Sequence, residues 1–303
     1  MRVQCSILLC TYNRAEVLRE TLGCLTVQVQ AVSDVELIVV DNASTDETAL
    51  VVSDFEAVRY VHESSPGLSH ARNRAMREAR SENLIFIDDD VIPEEGWLAA
   101  YAAFFKKKAP EVVFWGGPVR PNFEGDVDSL SPGDVRYLSR AWSLVEPDEA
   151  AKPIQSRDRV LPIGANFGGL RPVFMKFGFD PQFGRNGERL TSCEEMDLLH
   201  RILDAGWRGE WVRDAVLRHR VPEERLTEAY LARFFHDFGL SEQKLRNTRS
   251  AWTLLWICCR HRFGLWAAGL GYRRHRRIRH FVRWHYNRGR LKQVFHRRFF
   301  WWA

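Results

Sequence analysis

Three consecutive aspartates, Asp88-Asp89-Asp90, end the apolar run Asn83-Leu84-Ile85-Phe86-Ile87. Carboxylates stacked at the end of a buried strand repel one another and lose hydration unless something cationic waits there. Alternate side chains of an extended segment point the same way, so Asp88 and Asp90 can face one site while Asp89 faces elsewhere. Such a pair suits a hard divalent cation and, through it, a diphosphate. A solvated acidic turn fits the same three residues taken alone. A second acidic centre, Glu194-Glu195, precedes Met196, Leu198, Leu199, Ile202 and Leu203. That spacing describes an amphipathic helix, and acids at a helix N-terminus also complement the dipole without doing chemistry. His219 follows the strand-like stretch 212–217, and a lone histidine is more often structural than a metal ligand.

These groups need elements to bring them together. Residues 3–9, 35–40, 58–62 and 84–87 read as strands. Between them, 14–27 carries Val17, Leu18, Leu22 and Leu25 at helical spacing. Ser44-Thr45-Asp46-Glu47 reads as a helix start with a good N-cap and acids in the first turn. A helix over 69–80 follows the Pro66-Gly67 turn, and another spans 94–107. Strand and helix alternate, which predicts an α/β fold with a mainly parallel sheet between helices. Ligands of such sheets bind beyond the carboxyl ends of the strands. Thr11-Tyr12-Asn13-Arg14, Asp41-Asn42 and Asp88-Asp89-Asp90 all fall at those ends. Sheet packing does not call for three polar clusters on one edge, whereas a nucleoside diphosphate site does.

Beyond residue 112 the pattern weakens. Phe114-Trp115-Gly116-Gly117-Pro118 reads as a strand entering a tight loop, and 122–134 as loop. The small-residue segment Pro162-Ile163-Gly164-Ala165-Asn166-Phe167-Gly168-Gly169 is either a turn or a place where backbone approaches a ligand.

The 303 residues can bury a core without staples. Six cysteines (5, 10, 24, 193, 258 and 259) include no C-x-x-C pair and read as buried free thiols in a reducing compartment. The opening residues run straight into a strand and lack the regions of a signal peptide, so the body is expected in the cytosol. The net charge of +5 is unevenly spread, because no Asp or Glu follows Glu242.

Five motifs in order resemble the inverting glycosyltransferases of family 2, which have the GT-A fold. They are Cys10-Thr11-Tyr12-Asn13-Arg14; Val39-Val40-Asp41-Asn42-Ala43-Ser44-Thr45-Asp46; Pro66-Gly67-Leu68-Ser69-His70-Ala71-Arg72-Asn73; Phe86-Ile87-Asp88-Asp89-Asp90; and Cys193-Glu194-Glu195-Met196-Asp197-Leu198. The resemblance covers residues 2–240 and implies roles. Thr11 and Asp41 would hold the base and ribose of a nucleotide sugar, with a uridine diphosphate sugar the expected donor. Tyr12, Asn13, Arg14 and Asp89 join that nucleotide-sugar set, and Arg72 would lie against the nucleotide or its phosphates. Asp88 would sit nearer the ribose, and Asp90 would bind Mg²⁺ or Mn²⁺ directly. The resemblance also moves His219 toward a further metal ligand. Glu195 would be the catalytic base and Glu194 its support. Gly117, Asn166 and Cys193 are assigned to the acceptor side. Cys193 stands where the family commonly has glycine, and Glu195 where Asp is more common. The Q-x-x-R-W motif of processive synthases does not follow Glu195, so a single sugar transfer is expected. A nucleotidyltransferase would use the same sheet edge but release pyrophosphate. A protein that only binds nucleotide sugar or anionic lipid is the reading from another class.

The resemblance divides the chain into a catalytic domain, 1–240, and a basic aromatic tail, 241–303. In the tail two apolar stretches, 251–259 and 263–272, flank Arg260-His261-Arg262. An Arg-rich run, 273–277, and a final Phe299-Phe300-Trp301-Trp302 follow. Neither apolar stretch reaches the roughly 20 residues that span a bilayer. Interfacial helices on an anionic membrane surface, through residues 245–303, are the first reading. Packing on the catalytic domain comes second, and nucleic-acid binding is the weakest reading. The expected place is peripheral, on the cytoplasmic face of a membrane, with a glycan or a lipid-linked acceptor as partner.

Overall fold

The computed structural model describes residues 3–147, 153–157, 160–185, 190, 192–246, 251–268 and 274–299. Arg273 of the Arg-rich run and Phe300-Trp301-Trp302 lie outside them. The chain forms two compact units. The first comprises Met1–Asn122, Ser143–Gln182 and Glu194–Arg220; the second comprises Phe123–Trp142, Phe183–Cys193 and Val221–Ala303.

In the first unit, strands β1 (Cys5–Thr11), β2 (Val35–Asp41), β3 (Val58–His62) and β4 (Asn83–Ile87) alternate with helices α1 (Ala15–Ala31), α2 (Thr48–Ser53) and α3 (Leu68–Glu78). The first, second and fourth of these strands carry near-continuous apolar runs because both faces of a parallel sheet are buried. Next come β5 (Val91–Pro93), α4 (Trp97–Lys107), β6 (Val112–Gly116) and β7 (Val119–Phe123). After α5 (Pro132–Leu138) follow β8 (Asn166–Leu170), α6 (Arg171–Phe177), α7 (Glu194–Asp204), β9 (Arg208–Trp211) and β10 (Leu217–Val221). The seven-stranded sheet runs β3-β2-β1-β4-β8-β6-β9, and a three-stranded sheet runs β5-β10-β7. In the larger sheet β8 alone is antiparallel to its neighbours, so the sheet is mainly parallel, as expected.

Several elements differ from the sequence reading. The segment 162–169 is not merely a turn: its end enters β8 between β4 and β6. A side chain at Gly168 would overlap the Leu84 carbonyl, and one at Gly169 the Phe174 ring. These glycines admit close neighbours while hiding the strand from its composition. Helix α2 starts at Thr48, and Glu47 gives no side-chain cap. Asp46 serves instead. Its Oδ1 accepts from Thr48 N at 3.1 Å, and its Oδ2 accepts from Ala15 N, the start of α1, at 3.0 Å. Those hydrogen bonds outweigh burial and hold the Asp46 carboxyl below its ordinary value. His219 sits inside a strand, β10, rather than after one. All six cysteines are free, but Cys24 and Cys259 are exposed.

In the second unit, α5 opens on a reciprocal capping box between Ser131 and Asp134 with Pro132 in its first turn. Helices α8 (Glu228–Arg246), α9 (Ala251–Ala268) and α10 (Arg274–Phe299) follow. Helix α9 runs unbroken through Arg260-His261-Arg262, which the sequence reads as an interruption. Close helix packing rests on glycines. A side chain at Gly239 of α8 would overlap the Tyr286 carbonyl, and one at Gly289 of α10 the His236 carbonyl. Beside this contact the rings of Phe238 and Tyr286 stack at 5.9 Å. Arg290, buried on α10, donates through Nε to Gln243 Oε1 at 2.9 Å.

Candidate active site

Strand register fixes the edge where the polar clusters meet. Thr11 pairs with Asp41, Asp41 with His62, and Leu9 with Ile87. The chain therefore leaves β1, β2 and β4 at neighbouring points. Asn13, at φ 51°, accepts at Oδ1 from Thr45 N at 2.7 Å, while its own N–H donates to Ser44 Oγ at 2.8 Å. These bonds lace the loops after β1 and β2 together. Asp41 is buried; its Oδ1 accepts from Ser44 N at 2.9 Å and its Oδ2 from the Tyr60 hydroxyl at 2.7 Å. Burial and the Asp41 charge push the Tyr60 phenol up to about 12, so it stays a donor. Tyr12 projects from the same edge, 49% exposed.

The three aspartates diverge as alternation predicts. Asp89 faces inward, accepting from Thr11 Oγ1 at 2.7 Å and Arg14 Nη1 at 2.5 Å. Thr21 of α1 ties down its backbone carbonyl at 2.7 Å. Burial raises the Asp89 carboxyl to about 6 against the pull of Arg14. The other Arg14 nitrogen, Nη2, donates to Asp90 Oδ2 at 2.9 Å. Arg14 thus serves the acidic cluster itself.

Asp88 and Asp90 join His219, with one ligand atom from each lying within 4.8 Å of the others. Tertiary structure makes this meeting. Strand β10 pairs antiparallel with β5, His219 opposite Val91, and Arg220 N donates to Asp90 O at 2.9 Å. His219 Nε2 then lies 3.1 Å from Asp90 Oδ1, both side chains buried. Two carboxylates and one imidazole are a donor set that fits Mg²⁺ or Mn²⁺.

Arg72 of α3 connects this cluster to the second acidic centre. Its Nη1 donates to Glu194 Oε1 at 2.7 Å; its Nη2 lies 3.4 Å from Asp88 Oδ1 and 3.3 Å from Gly164 O. Phe167 and Phe179 flank the guanidinium, with centroids at 5.4 and 5.6 Å. Burial works against the Arg72 charge, but Glu194, Asp88 and Glu195 outweigh it and raise its pKa. Glu194 is also buried. That burial, with Glu195 alongside, lifts its carboxyl to about 7 even though Arg72 opposes the rise. One oxygen of each acid, Glu194 Oε2 and Glu195 Oε2, is buried without a hydrogen-bond partner. Cys193 turns the chain into α7 at φ 81°, the left-handed region that glycine enters without strain.

Asn166 and Gly117 occupy a different setting. Asn166 is fully buried. Its Oδ1 accepts from Trp97 Nε1 at 3.2 Å and the Tyr101 hydroxyl at 2.8 Å. Its Nδ2 donates to Pro118 O at 3.1 Å and Ala215 O at 2.8 Å. All its hydrogen bonds are internal, and a side chain on Gly117 would overlap the same Ala215 carbonyl. Sequence reasoning missed Tyr60, Phe167 and Phe179. Tyr60 pairs with Val39 on β2, two residues before His62, the register partner of Asp41, a signal available only once the strands are paired.

Residues 6–177 match the model of the family described as glycosyl transferase family 2. The chain is similar to validoxylamine A glucosyltransferase of Streptomyces hygroscopicus subsp. jinggangensis, 35% identical over 116 residues, which are 37% of this chain and 28% of that protein. It is also similar to chondroitin synthase of Escherichia coli, 35% identical over 101 residues, 32% of this chain and 15% of that protein. The match thus spans less than a third of either relative's length. Among solved structures it is similar to a mannosyltransferase from Pyrobaculum calidifontis in complex with GDP-Man and Mn²⁺, at a TM-score of 0.65 and 20% identity over 98% of this chain and 88% of that one. That likeness is one of fold, and the fold is GT-A. With the family model covering more than half of its residues, the chain belongs to glycosyl transferase family 2.

Proposed function

We propose that this enzyme transfers one sugar, with inversion, from a nucleoside diphosphate sugar to a hydroxyl of a glycan or a lipid-linked acceptor. The observation that carries the reading is the single network running from Asp90 and His219 through Asp88 and Arg72 to Glu194, beside Glu195. Diphosphate and acceptor chemistry need these two centres side by side. Asp88, Asp90 and His219 would hold Mg²⁺ or Mn²⁺, which neutralises charge on a departing diphosphate. Thr11, Tyr12, Asn13, Arg14, Asp41 and Asp89 build the edge that receives the nucleotide, with exposed Tyr12 available to stack on the base. A uridine diphosphate sugar remains the expected donor. Arg72 holds Asp88 and Glu194 in fixed relation and adds positive charge near the diphosphate.

Glu195 is the base. Its partnerless Oε2 has acceptor capacity for the acceptor's hydroxyl proton. Attack from the face opposite the leaving group inverts the anomeric centre. Glu194, engaged by Arg72, positions this apparatus. Gly117 and Asn166 shape the ends of β6 and β8, and Cys193 sets the entry to α7, on the acceptor side. Residues 1–240 are the catalytic part. The basic tail, 241–303, holds the enzyme at a membrane surface where a lipid-linked acceptor resides.

The test is release of nucleoside diphosphate from a panel of nucleotide sugars with Mn²⁺ or Mg²⁺. One donor should turn over, with nucleoside diphosphate rather than pyrophosphate as product. Glu195→Gln should lower turnover about 10²- to 10⁴-fold while donor affinity holds. Unchanged turnover in Glu195→Gln overturns the base assignment, and pyrophosphate release overturns the reaction.

A further inference from the structure

Helix α9 is apolar on two faces. Ala251, Leu254, Cys258 and His261 recur at helical spacing and are buried. The opposite side carries Leu255, Trp256, Cys259 and Phe263, all exposed; Trp256 is 63% and Phe263 67% accessible. A helix that is apolar all round needs apolar surroundings on both sides. The other exposed large apolar residues described, such as Val27, Leu50 and Met175, stand on separate elements. Scattered single residues of that kind are ordinary, whereas three on one helix within nine positions form a patch.

The charge around the patch selects what covers it. Sixteen Lys and Arg follow Glu242, with no Asp or Glu among them. Arg260 lies over the Trp256 ring at 5.6 Å, and Arg262 and Arg288 lie over the Trp284 ring at 5.8 and 4.7 Å. A second copy of this chain would bring like charge against like. An anionic lipid surface offers the complement: hydrocarbon for the rings and phosphate for the guanidinium groups. Among the described residues no helix is long and apolar enough to cross a membrane. Helix α10 differs from α9 in that Val282, Asn287 and Arg290 are turned inward and its aromatic rings Phe281, Trp284 and Tyr286 are half-buried.

We propose that the outward face of α9, centred on Leu255, Trp256 and Phe263 and flanked by Arg260 and Arg262, is the surface that docks on an anionic bilayer. The inference rests on the membrane association proposed above and assigns it to one face of one helix. The test is flotation of the full chain with vesicles of phosphatidylcholine alone and of phosphatidylcholine mixed with phosphatidylglycerol. The wild-type chain should float with the mixed vesicles and be released by salt. The double variant Trp256→Ser/Phe263→Ser should lose at least about tenfold in partitioning. Arg260→Gln/Arg262→Gln should lose roughly 25-fold, about fivefold per charge. Both variants should keep the wild-type circular dichroism and donor-induced thermal shift. If the wild-type chain floats and the aromatic variant floats equally, the α9 face is refuted and the tail binds by another surface. If the wild-type chain floats with neither vesicle, membrane association itself fails. A wild-type dimer in light scattering that the aromatic variant dissociates, without flotation, would assign the face to a second copy and overturn the proposal.

Discussion

Replacing Glu194 with Gln should make the protein's stability less dependent on pH. The carboxyl is held at about 7 in the folded chain against an ordinary 4.5, because burial and Glu195 outweigh Arg72. The sign follows from linkage. Below pH 4.5 the group is protonated whether the chain is folded or not, and it costs nothing. As pH rises above 4.5 the unfolded carboxyl ionises while the folded one keeps its proton, so stability falls. The loss is complete once the folded group ionises near pH 7 and amounts to about 3 kcal/mol. Gln at this position does not titrate, and its carbonyl can still accept from Arg72 Nη1. The decisive quantity is how the difference in stability between variant and wild type changes from pH 5 to pH 8. It should move by about 2.5 kcal/mol in favour of the variant. At roughly 2–4 °C per kcal/mol, that is about 5–10 °C in Tm. Calorimetric scans of both proteins, in chelator and without nucleotide, measure it. Asp89, raised to about 6, titrates in both proteins and cancels. Parallel Tm–pH curves would refute the argument, because they would mean that Glu194 is ionised in the folded chain at ordinary carboxylate pH.

Three further outcomes follow from the geometry. His219→Ala, which removes one of three convergent ligand atoms, should weaken Mn²⁺-dependent binding of a nucleoside diphosphate at least about tenfold, measured by titration calorimetry. Asn166→Ala should cost about 3 kcal/mol or more in denaturant unfolding, because two carbonyls, an indole N–H and a phenol lose buried partners together. Gly289→Val should push α10 off α8, since its Cβ would overlap the His236 carbonyl; limited proteolysis should then cleave the helical region faster than in the wild-type chain.

The first half of the fold was legible because its local signals agree. Apolar runs such as 37–40 and 84–87 are long, and the polar residues that stop them stop them together. Alternation alone separated Asp89 from Asp88 and Asp90, since side chains of an extended segment must alternate. The five motifs carried the family. Strand β8 was illegible because Gly168 and Gly169, chosen for close contact with Leu84 and Phe174, remove the composition by which a strand is recognised. The unbroken helix α9 was hidden for the opposite reason: Arg260-His261-Arg262 looks like an interruption until His261 turns inward and the two arginines outward.

Residue type and order by themselves determined that this chain carries a polar edge at its strand ends and two acidic centres. Both are properties of short segments, and short segments are what local sequence encodes. Tertiary structure alone decided that His219, more than 120 residues from Asp90 in the chain, stands 3.1 Å away across the pairing of β10 with β5. It likewise decided that Arg72 joins Asp88 to Glu194, the latter 122 residues from Arg72 in the chain. Contacts between distant segments depend on which strands pair and in what register, and the free energy that selects the pairing is spread over the whole core.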